Sequence, residues 1–348
     1  MPKPAPLELP EGVRLEYLAE GGANVIYRFV ATPVKDAKWP VSNVTINSIE
    51  HSSLPPELRG KLLRLRKETT VNTPYKEIAQ NFNSVIRPLF SQEELVDQTL
   101  IRLPEGLIHR YNEQLRLLEI SGRRPKKRHG GYLAVNEPFG LLITDMTAFD
   151  EPGTILAEFK PKWLTQSPSA PALARRCRTC ALREMKNHEA REVAAKEQRS
   201  FCPLDLVSEH YEHVFRATAF IAGCNDRARL AHILYSSSTL RKLQSRQKAS
   251  GKVGLYGPTG ISQTTSLGMT LRDCTMFVKI PRDEKSPVEI RLGDLDLKCS
   301  TGGKAEYWKY IELQLIDGGW YHGSHSSQTL SNCSLRNTPA TNRAPVQP

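Results

Sequence analysis

The sequence lacks the features that mark several large protein classes. No apolar run approaches the length, about 20 residues, that a helix needs to cross a bilayer, and the first residues contain no apolar core of a secretion signal. The seven cysteines are scattered without the regular spacing of a disulfide framework. No Gly-x-x-x-x-Gly-Lys-Ser/Thr run exists, which excludes a P-loop nucleotide site. We therefore expect an intracellular protein, in the nucleus, the cytoplasm or both.

Sequence support for a structural zinc site is also lacking. Cys177 and Cys180 form an isolated Cys-x-x-Cys pair. Tetrahedral zinc takes four protein ligands, and the only further candidate close by in the chain is His188. Because no second pair follows, these cysteines are predicted to be ordinary thiols.

Positive charge is the most evident feature that the sequence does have. Its 348 residues include 48 Lys and Arg against 37 Asp and Glu, which gives a formal net charge of +11. A surplus of this size favours an anionic partner, and composition alone leaves nucleic acid, an acidic membrane and a polyphosphate as alternatives. The chain length fits one large domain or two lobes.

A glycine-rich turn joins two predicted strands near the N-terminus. Gly21 and Gly22 carry no β-carbon, so backbone amides there can approach a phosphate closely, and Asn24 lies beside them. A later basic strand, Lys61–Lys67, offers Arg64 as a cation. A glycine-rich hairpin followed by a cation-bearing strand is the layout of kinase-like nucleotide sites. The alternative is an ordinary hairpin beside an exposed strand charge.

Carboxylates occur at the ends of two predicted apolar strands. One strand, Val288–Leu297, would place Asp294, Asp296 and Lys298 on the same face, because side chains alternate along a strand. Carboxylates that close together repel each other unless a cation lies between them, and Mg²⁺ prefers oxygen ligands. Asp273 precedes the other strand and could accept the proton of a substrate hydroxyl. The alternatives are a solvated strand face and a simple turn residue.

Basic residues are concentrated in two further segments. Lys160 and Lys162 alternate around Pro161 and could bind phosphates from one side of the chain. A strongly basic helix is predicted over residues 172–197, where it could bind several phosphates or line a nucleic-acid groove. The alternative for both segments is a set of ordinary surface charges.

Six short motifs follow one another along the chain: Glu20–Asn24, Leu63–Lys67, Glu158–Lys162, Cys202–Leu206, Arg272–Thr275 and Asp294–Lys298. In this order they resemble the inositol-pentakisphosphate 2-kinase family, and in particular its fungal branch. The resemblance implies an α+β, two-lobed kinase-like fold with antiparallel sheets and an active-site cleft between the lobes. We assign the N-terminal lobe to residues 1–145 and the C-terminal lobe to residues 146–323. Residues 324–348, rich in Ser, Asn, Thr and Pro, are predicted to form a disordered tail.

The resemblance also implies transfer of the ATP γ-phosphate to the 2-hydroxyl of inositol 1,3,4,5,6-pentakisphosphate, which gives the hexakisphosphate, phytate. ATP with Mg²⁺ would be required, and the catalytic aspartate would be Asp273. The metal ligands would be Asp294 and Asp296. The nucleotide ligands would be Gly21, Gly22, Ala23, Asn24, Arg64, Asp145 and Met146. The inositol-phosphate ligands would be Arg124, Lys160, Lys162, Arg183, Lys186, Asn225, Lys298, Lys304 and Tyr307.

One departure from the family concerns zinc. Plant members carry His and Cys zinc ligands before the catalytic aspartate, whereas residues 226–271 contain one histidine, His232, and no cysteine. The resemblance therefore implies no zinc. The alternatives to the 2-kinase activity are an inositol-polyphosphate kinase of other regiochemistry and a non-catalytic basic nucleic-acid-binding protein. The expected protein is a monomer with no membrane partner and no obligate nucleic acid.

Overall fold

The computed structural model contains two compact units, one formed by Met1–Ser84 with Val96–Asp150 and the other by Val85–Leu95 with Glu151–Pro348. The structure describes residues 6–10, 13–30, 54–69, 73–148, 151–250, 253, 255, 263–298, 304–323 and 333–337. None of the helices in these ranges is long and apolar enough to cross a membrane. Both units combine helices with antiparallel strands, which confirms the α+β prediction.

The first unit is built on six strands: β1 (Leu7–Glu8), β2 (Arg14–Glu20), β3 (Asn24–Val30), β4 (Lys61–Arg66), β5 (Gln98–Arg102) and β6 (Phe139–Thr144). They form one sheet in the order β1-β5-β6-β4-β3-β2. The β1-β5 pair is parallel and the other neighbours are antiparallel. The predicted basic strand is confirmed as β4, but its central place in the sheet buries even Arg64 and Arg66.

Two helices, α1 (Tyr75–Asn81) and α2 (Leu107–Ile120), accompany this sheet. Residues four apart on α2, among them Leu107, Tyr111 and Leu115, form its buried stripe. The Tyr111 hydroxyl accepts a hydrogen bond from the Leu15 amide at 2.8 Å, and its ring lies 5.2 Å from that of Tyr27. Helix α2 therefore fixes the β2-β3 hairpin, whose turn is the glycine-rich segment.

The second unit contains three strands, β7 (Ile155–Phe159), β8 (Thr275–Ile280) and β9 (Glu289–Gly293), in an antiparallel sheet of order β7-β8-β9. Apolar residues of its first and last helices share one core cluster. The helices are α3 (Arg178–Glu192), α4 (Tyr211–Thr218), α5 (Arg227–Tyr235), α6 (Ser238–Ala249), α7 (Gln263–Leu271) and α8 (Lys304–Asp317).

The second acidic strand ends earlier than its alternating pattern indicates. Strand β9 stops at Gly293, and Asp294 adopts a left-handed backbone conformation with φ of 55°. A left-handed residue breaks the two-residue period of a strand. The prediction that Asp294, Asp296 and Lys298 share one strand face is therefore wrong.

The predicted disordered tail also differs from the structure at residues 333–337. Cys333 is buried, and Ser334–Asn337 form a short 3₁₀ helix. Packing of Cys333 against other buried cysteines supplies the order that the polar composition does not indicate. The rest of residues 324–348 lies outside the described residues.

Candidate active site

The sheet of the second unit brings charged residues together at one of its edges. The antiparallel register pairs the last residue of β7 with the second residue of β8, and the first residue of β8 with the last residue of β9. Lys160 follows β7, Asp273 stands two residues before β8, and Asp294 follows β9. The topology thus collects three charged residues that are far apart in the sequence.

Three lysines surround Asp273. The Nζ of Lys162 lies 2.8 Å from its Oδ1, and the Nζ of Lys298 lies 3.0 Å from its Oδ2. The Nζ of Lys160 lies 3.6 Å from Asp273 Oδ1 and 2.7 Å from Asp294 Oδ2, and it donates to the Asp273 carbonyl at 2.6 Å. The five side chains are 26–48% exposed, so a polar ligand can reach all of them.

The lysines keep Asp273 ionised. Burial on its own raises the pKa of this carboxyl, but the hydrogen bond from Lys162 and the charge of Lys298 outweigh burial and lower the pKa to about 2. For Lys160, burial on its own lowers the pKa, but the hydrogen bond and the charge of Asp294 outweigh burial and raise the pKa overall. At neutral pH, Asp273 is therefore a charged hydrogen-bond acceptor.

Two residues of this cluster have strained backbones. Among the described non-glycine residues, positive φ occurs at Lys162 (59°), Ala194 (53°) and Asp294 (55°). This region is unfavourable for residues with a β-carbon, and such residues are concentrated at functional sites. Lys162 contacts Asp273 directly, and Asp294 contacts it through Lys160, so the strain coincides with the charge cluster.

A buried glutamine on α6 holds the backbone around the cluster. The Nε2 of Gln247 donates to the carbonyls of Lys162 and Leu271, at 2.8 and 2.9 Å. Its Oε1 accepts from the Leu164 amide at 2.9 Å. Gln247 thus connects the strained segment at Lys162 to the turn before Asp273. Sequence analysis missed this residue because its partners lie 24 to 85 residues away.

The charge cluster borders a cavity of about 630 Å³ that lies within the second unit. This volume is in the usual range for small-molecule sites. Tyr307 and Trp308 of α8 contribute to the wall. Among the residues that the structure describes, the lining includes one acidic residue, Asp273, and six basic residues: Lys162, Arg178, Arg183, Lys186, Arg272 and Lys298. The excess of positive charge suits a ligand that carries several negative charges.

Two of these cations are held against Trp163. The guanidinium carbons of Arg178 and Arg272 lie 4.4 and 4.6 Å from the ring centroid. Arg178 also pairs with the buried Glu312 at 2.7 Å. Burial, and then the nearby charge of Arg178, lower the pKa of Arg272 to about 10, so that Arg272 stays protonated at neutral pH. These two arginines form a rigid basic wall.

The predicted inositol-phosphate ligands of the second unit fall into three groups. Lys162, Arg183, Lys186, Lys298 and Tyr307 line the cavity, and Lys160 adjoins it through Asp273. Asn225 is exposed in the turn before α5 and does not belong to the cavity lining. Lys304 begins α8, and its side chain lies outside the described residues.

In the first unit, the predicted glycine loop is the turn between β2 and β3. The Gly21 amide donates to the Asn24 carbonyl at 2.9 Å. Lys67, which sequence analysis missed, donates to the Gly21 carbonyl at 3.0 Å and fixes the turn. A β-carbon on Gly22 would lie 3.8 Å from Arg128 Nη1, so a further cation adjoins the turn.

Two other predicted nucleotide ligands are neighbours in the first unit. In the amide orientation that satisfies its hydrogen bonds, Asn24 accepts from Arg64 Nη2 at 3.1 Å and donates to the Tyr75 hydroxyl at 2.9 Å.

The last two predicted nucleotide ligands, Asp145 and Met146, follow β6. Asp145 is half-buried, and Met146 is buried.

Arg124 has a structural position that does not fit its predicted role as a phosphate ligand. Its side chain is 0% exposed. Its Nε and Nη2 donate to the two carboxylate oxygens of Glu20 at 2.8 and 2.9 Å, and further donors reach Glu119 and the Gly131 carbonyl. No exposed donor remains for a phosphate, so the structure corrects this prediction. Arg124 instead fixes Glu20 beside the glycine-rich turn.

The prediction that Cys177 and Cys180 form an isolated pair is wrong. Folding brings Cys202 and Cys333 to this pair, and the four sulfur atoms form one compact group. The expectation of no zinc rested on two missing ligands, and the structure supplies two further cysteines.

The carboxylate among lysines and the basic cavity together define a protein built to bind a polyanionic small molecule. The family model described as inositol-pentakisphosphate 2-kinase matches residues 17–314. A protein of Yarrowia lipolytica named inositol-pentakisphosphate 2-kinase is 27% identical over 328 residues, which cover 88% of this chain and 98% of that protein. A protein of the same name from Debaryomyces hansenii is 23% identical over 320 residues, 76% of this chain and 75% of that protein. The chain belongs to the inositol-pentakisphosphate 2-kinase family.

Proposed function

We propose that this chain transfers the γ-phosphate of ATP to the 2-hydroxyl of inositol 1,3,4,5,6-pentakisphosphate and so produces the hexakisphosphate. The observation that carries the proposal is the ionised Asp273 at the border of a cavity with six basic residues. In this acceptor, five ring carbons carry phosphates, so the 2-hydroxyl is the only free hydroxyl. The cations suit the phosphates of this acceptor, and the carboxylate of Asp273 can accept a hydrogen bond from its free hydroxyl.

Basic residues of the cavity bind and orient the acceptor. A ring with five phosphates repels ATP, so its charge must be neutralised before the two substrates can approach each other. Lys162, Lys186 and Lys298 supply flexible point charges at the cavity surface. The stacked Arg178 and Arg272 are buried and held in place, so they add fixed positive charge to the cavity wall.

Asp273 accepts a hydrogen bond from the 2-hydroxyl and directs its oxygen toward the γ-phosphorus. The new oxygen–phosphorus bond forms as the bond to the β-phosphate oxygen breaks, ADP leaves, and the hydroxyl proton passes to solvent. A carboxylate whose pKa is about 2 is a weak base. Orientation of the hydroxyl therefore contributes more than complete proton removal before transfer, as suits a loose phosphoryl-transfer transition state.

The proposed metal ligands are Asp294 and Asp296. Carboxylate oxygens suit Mg²⁺, and the ammonium of Lys160 on Asp294 Oδ2 indicates that this carboxylate attracts cations. Mg²⁺, when bound, neutralises charge on the transferring phosphoryl group. The Asp294 carboxylate is about half exposed, so it is accessible to the metal–nucleotide complex.

The proposed nucleotide site uses residues of the first unit. Backbone amides of the glycine-rich turn, with Arg64, bind phosphates of ATP, and Asp145 with Met146 contacts the base. Support comes from the turn itself, because Lys67 holds its backbone in place and Arg64 is linked to Asn24. In this proposal, the two units are the lobes of a kinase-like fold.

A product assay tests the proposed activity. The protein is incubated with Mg·ATP and inositol 1,3,4,5,6-pentakisphosphate, and the product is separated by anion exchange and assigned by ³¹P NMR. We expect inositol hexakisphosphate, whose phosphates are all monoesters. A product of equal phosphate content with pyrophosphate resonances would show phosphorylation of an existing phosphate. Failure to form any product beside an active reference enzyme, together with salt-dependent nucleic-acid binding, would favour the non-catalytic alternative.

Lys162→Met is expected to move the acid limb of the kcat profile to higher pH by about 1 unit. Lys162 makes the leading attractive contribution to the lowered pKa of Asp273, so its loss raises that pKa. The ionised carboxylate then forms only at higher pH. The measurement is kcat against pH at saturating substrates.

The matched control is Lys186→Met, which removes a cation from the same cavity but not from Asp273. Both variants should raise KM for the acceptor, and substrate ionisation affects both profiles equally. Coincident acid limbs for the two variants would contradict the assigned role of the Lys162–Asp273 pair.

A further inference from the structure

Four cysteines from three separate segments meet in the second unit. Cys177 and Cys180 lie at the start of α3, whereas Cys202 and Cys333 each precede a short 3₁₀ helix. All four are buried, with exposures of 0–4%. The chain separates Cys177 from Cys202 by 25 residues and Cys202 from Cys333 by 131 residues. Their convergence is therefore a product of the tertiary fold.

The four sulfur atoms lie close enough together to bind one metal ion. Every pair lies within 4.8 Å, and the Cys177–Cys202 and Cys202–Cys333 separations are 3.7 and 3.8 Å. Thiolates bound to one zinc ion at about 2.3 Å in tetrahedral geometry stand about 3.8 Å apart. A disulfide requires a sulfur–sulfur distance of about 2.05 Å, which these separations exceed. The geometry thus fits one central ion.

Hydrogen-bond donors point at the sulfur atoms. The amide of Cys177 donates to Cys333 Sγ at 3.2 Å, and Arg183 Nη2 donates to Cys180 Sγ at 3.2 Å. Such donors favour the thiolate form, and an outer shell of hydrogen bonds is a regular feature of metal sites. The guanidinium of Arg183 also places positive charge beside the sulfur group.

We propose that Cys177, Cys180, Cys202 and Cys333 bind one Zn²⁺ ion in a closed structural site. On binding, four zinc–sulfur bonds form and four thiol protons pass to solvent. No oxidation or reduction takes place, because Zn²⁺ has a filled d shell. The complex is a dianion, and Arg183 offsets part of its charge.

The donor set and its compactness select zinc over other ions. Thiolates are soft ligands that disfavour Mg²⁺ and Ca²⁺. An iron–sulfur cluster also takes four cysteines, but its irons bind separate thiolates and spread them apart. Four sulfur atoms within 4.8 Å of one another instead converge on a single centre.

The ion would stabilise the helix that lines the basic cavity. Helix α3 begins at the Cys-x-x-Cys pair and carries Arg178, Arg183 and Lys186 to the cavity wall. Its first turn would be attached to the segment at Cys202. The consequence for acceptor binding rests on the proposed function, whereas zinc binding itself does not.

The segment at Cys333 would be fixed by the same site. The backbone of Ser334 donates to Cys202, and its hydroxyl donates to the buried Asp205. Asp205 also pairs with Arg216 at 2.7 Å. These contacts join residues 333–337 to the turn that follows Cys202, so zinc would link the last described segment to the body of the second unit.

Metal analysis of the full chain tests the proposal. Protein purified without chelator is analysed for zinc and iron by mass spectrometry, and we expect one zinc per chain. Cys202→Ser and Cys333→Ser should lose most of this zinc. The matched control is Cys224→Ser, which replaces a buried cysteine outside the group and should retain it. A strong chelator should lower Tm of the wild type by about 10 °C, and added Zn²⁺ should restore it.

Cobalt substitution in the wild type keeps the test decisive if the serine variants do not fold. Tetrahedral thiolate coordination gives Co²⁺ an intense charge-transfer band and characteristic d–d bands. Folded wild-type protein that takes up neither Zn²⁺ nor Co²⁺ would overturn the proposal. Iron in place of zinc, or disulfides between these cysteines, would overturn it as well. Zinc content is independent of kinase activity, so this result and the failure of the proposed function are distinguishable.

Discussion

Asp273→Asn is expected to lower kcat for hexakisphosphate formation by about 10²–10⁴-fold while the protein still binds inositol pentakisphosphate. Asparagine keeps the size of the side chain, but its neutral amide accepts the hydrogen bond of the hydroxyl more weakly than a carboxylate and cannot balance the charges of Lys162 and Lys298. Removal of a negative charge from a basic cavity should leave the affinity for the polyanion unchanged or increase it. The loss should therefore appear in kcat and not in binding.

Steady-state kinetics combined with calorimetric titration of the acceptor measures both effects. Asp283→Asn is the matched control, because Asp283 is exposed in the turn between β8 and β9. This control should keep wild-type turnover. Wild-type turnover in Asp273→Asn would show that Asp273 does not contact the reacting hydroxyl. Parallel loss of turnover and acceptor binding would show a structural role instead.

Arg124→Met is expected to reduce the free energy of unfolding by about 3–5 kcal/mol. The substitution leaves the carboxylates of Glu20 and Glu119 without their guanidinium partner, and Glu20 is buried. The measurement is urea unfolding at pH 7. Arg123→Met replaces the exposed neighbour and should change stability by no more than about 0.5 kcal/mol. Unchanged stability of Arg124→Met with a raised KM for the acceptor would support the original prediction of a phosphate ligand.

Because of the Arg124–Glu20 ion pair, the difference in the free energy of unfolding between wild type and Arg124→Met should depend on pH. Burial on its own raises the pKa of Glu20, but hydrogen bonds from Arg124, Lys67 and Tyr17 lower it to about 2. An unfolded glutamate has a pKa of about 4.3. A carboxyl with a lower pKa in the folded state stabilises the fold above pH 4.3, and this contribution is lost as the pH falls toward 2. The difference between wild type and Arg124→Met should shrink over that interval.

The charged residues of the candidate site could be found from the sequence because each belongs to a short motif. Lys160 and Lys162 share one motif, Asp273 and Lys298 lie in two others, and the structure brings all four together at one sheet edge. Strand alternation failed to describe the last motif, however. Strand β9 ends at Gly293, and Asp294 has a left-handed backbone, so the residues after it no longer alternate between the two faces of a strand.

Contacts between distant segments could not be predicted from the sequence. Nothing near Arg124 indicates that its partner is Glu20, 104 residues away. Cys333 lies in a segment of disordered composition, and its place in the cysteine group depends on the packing of the second unit. Gln247 is a further case, since its role depends on the carbonyls of two remote segments. The roles of these three residues depend on burial and on contacts between distant segments, and neither can be inferred from local residue patterns.

A crystal structure with inositol pentakisphosphate and a non-hydrolysable ATP analogue tests the central claim most directly. We expect the ring in the basic cavity of the second unit, with phosphates on Lys162 and Lys298. The free 2-hydroxyl oxygen should lie within about 3.2 Å of an Asp273 carboxylate oxygen. An acceptor bound elsewhere, or bound in this cavity with its 2-hydroxyl directed away from Asp273, would contradict the account.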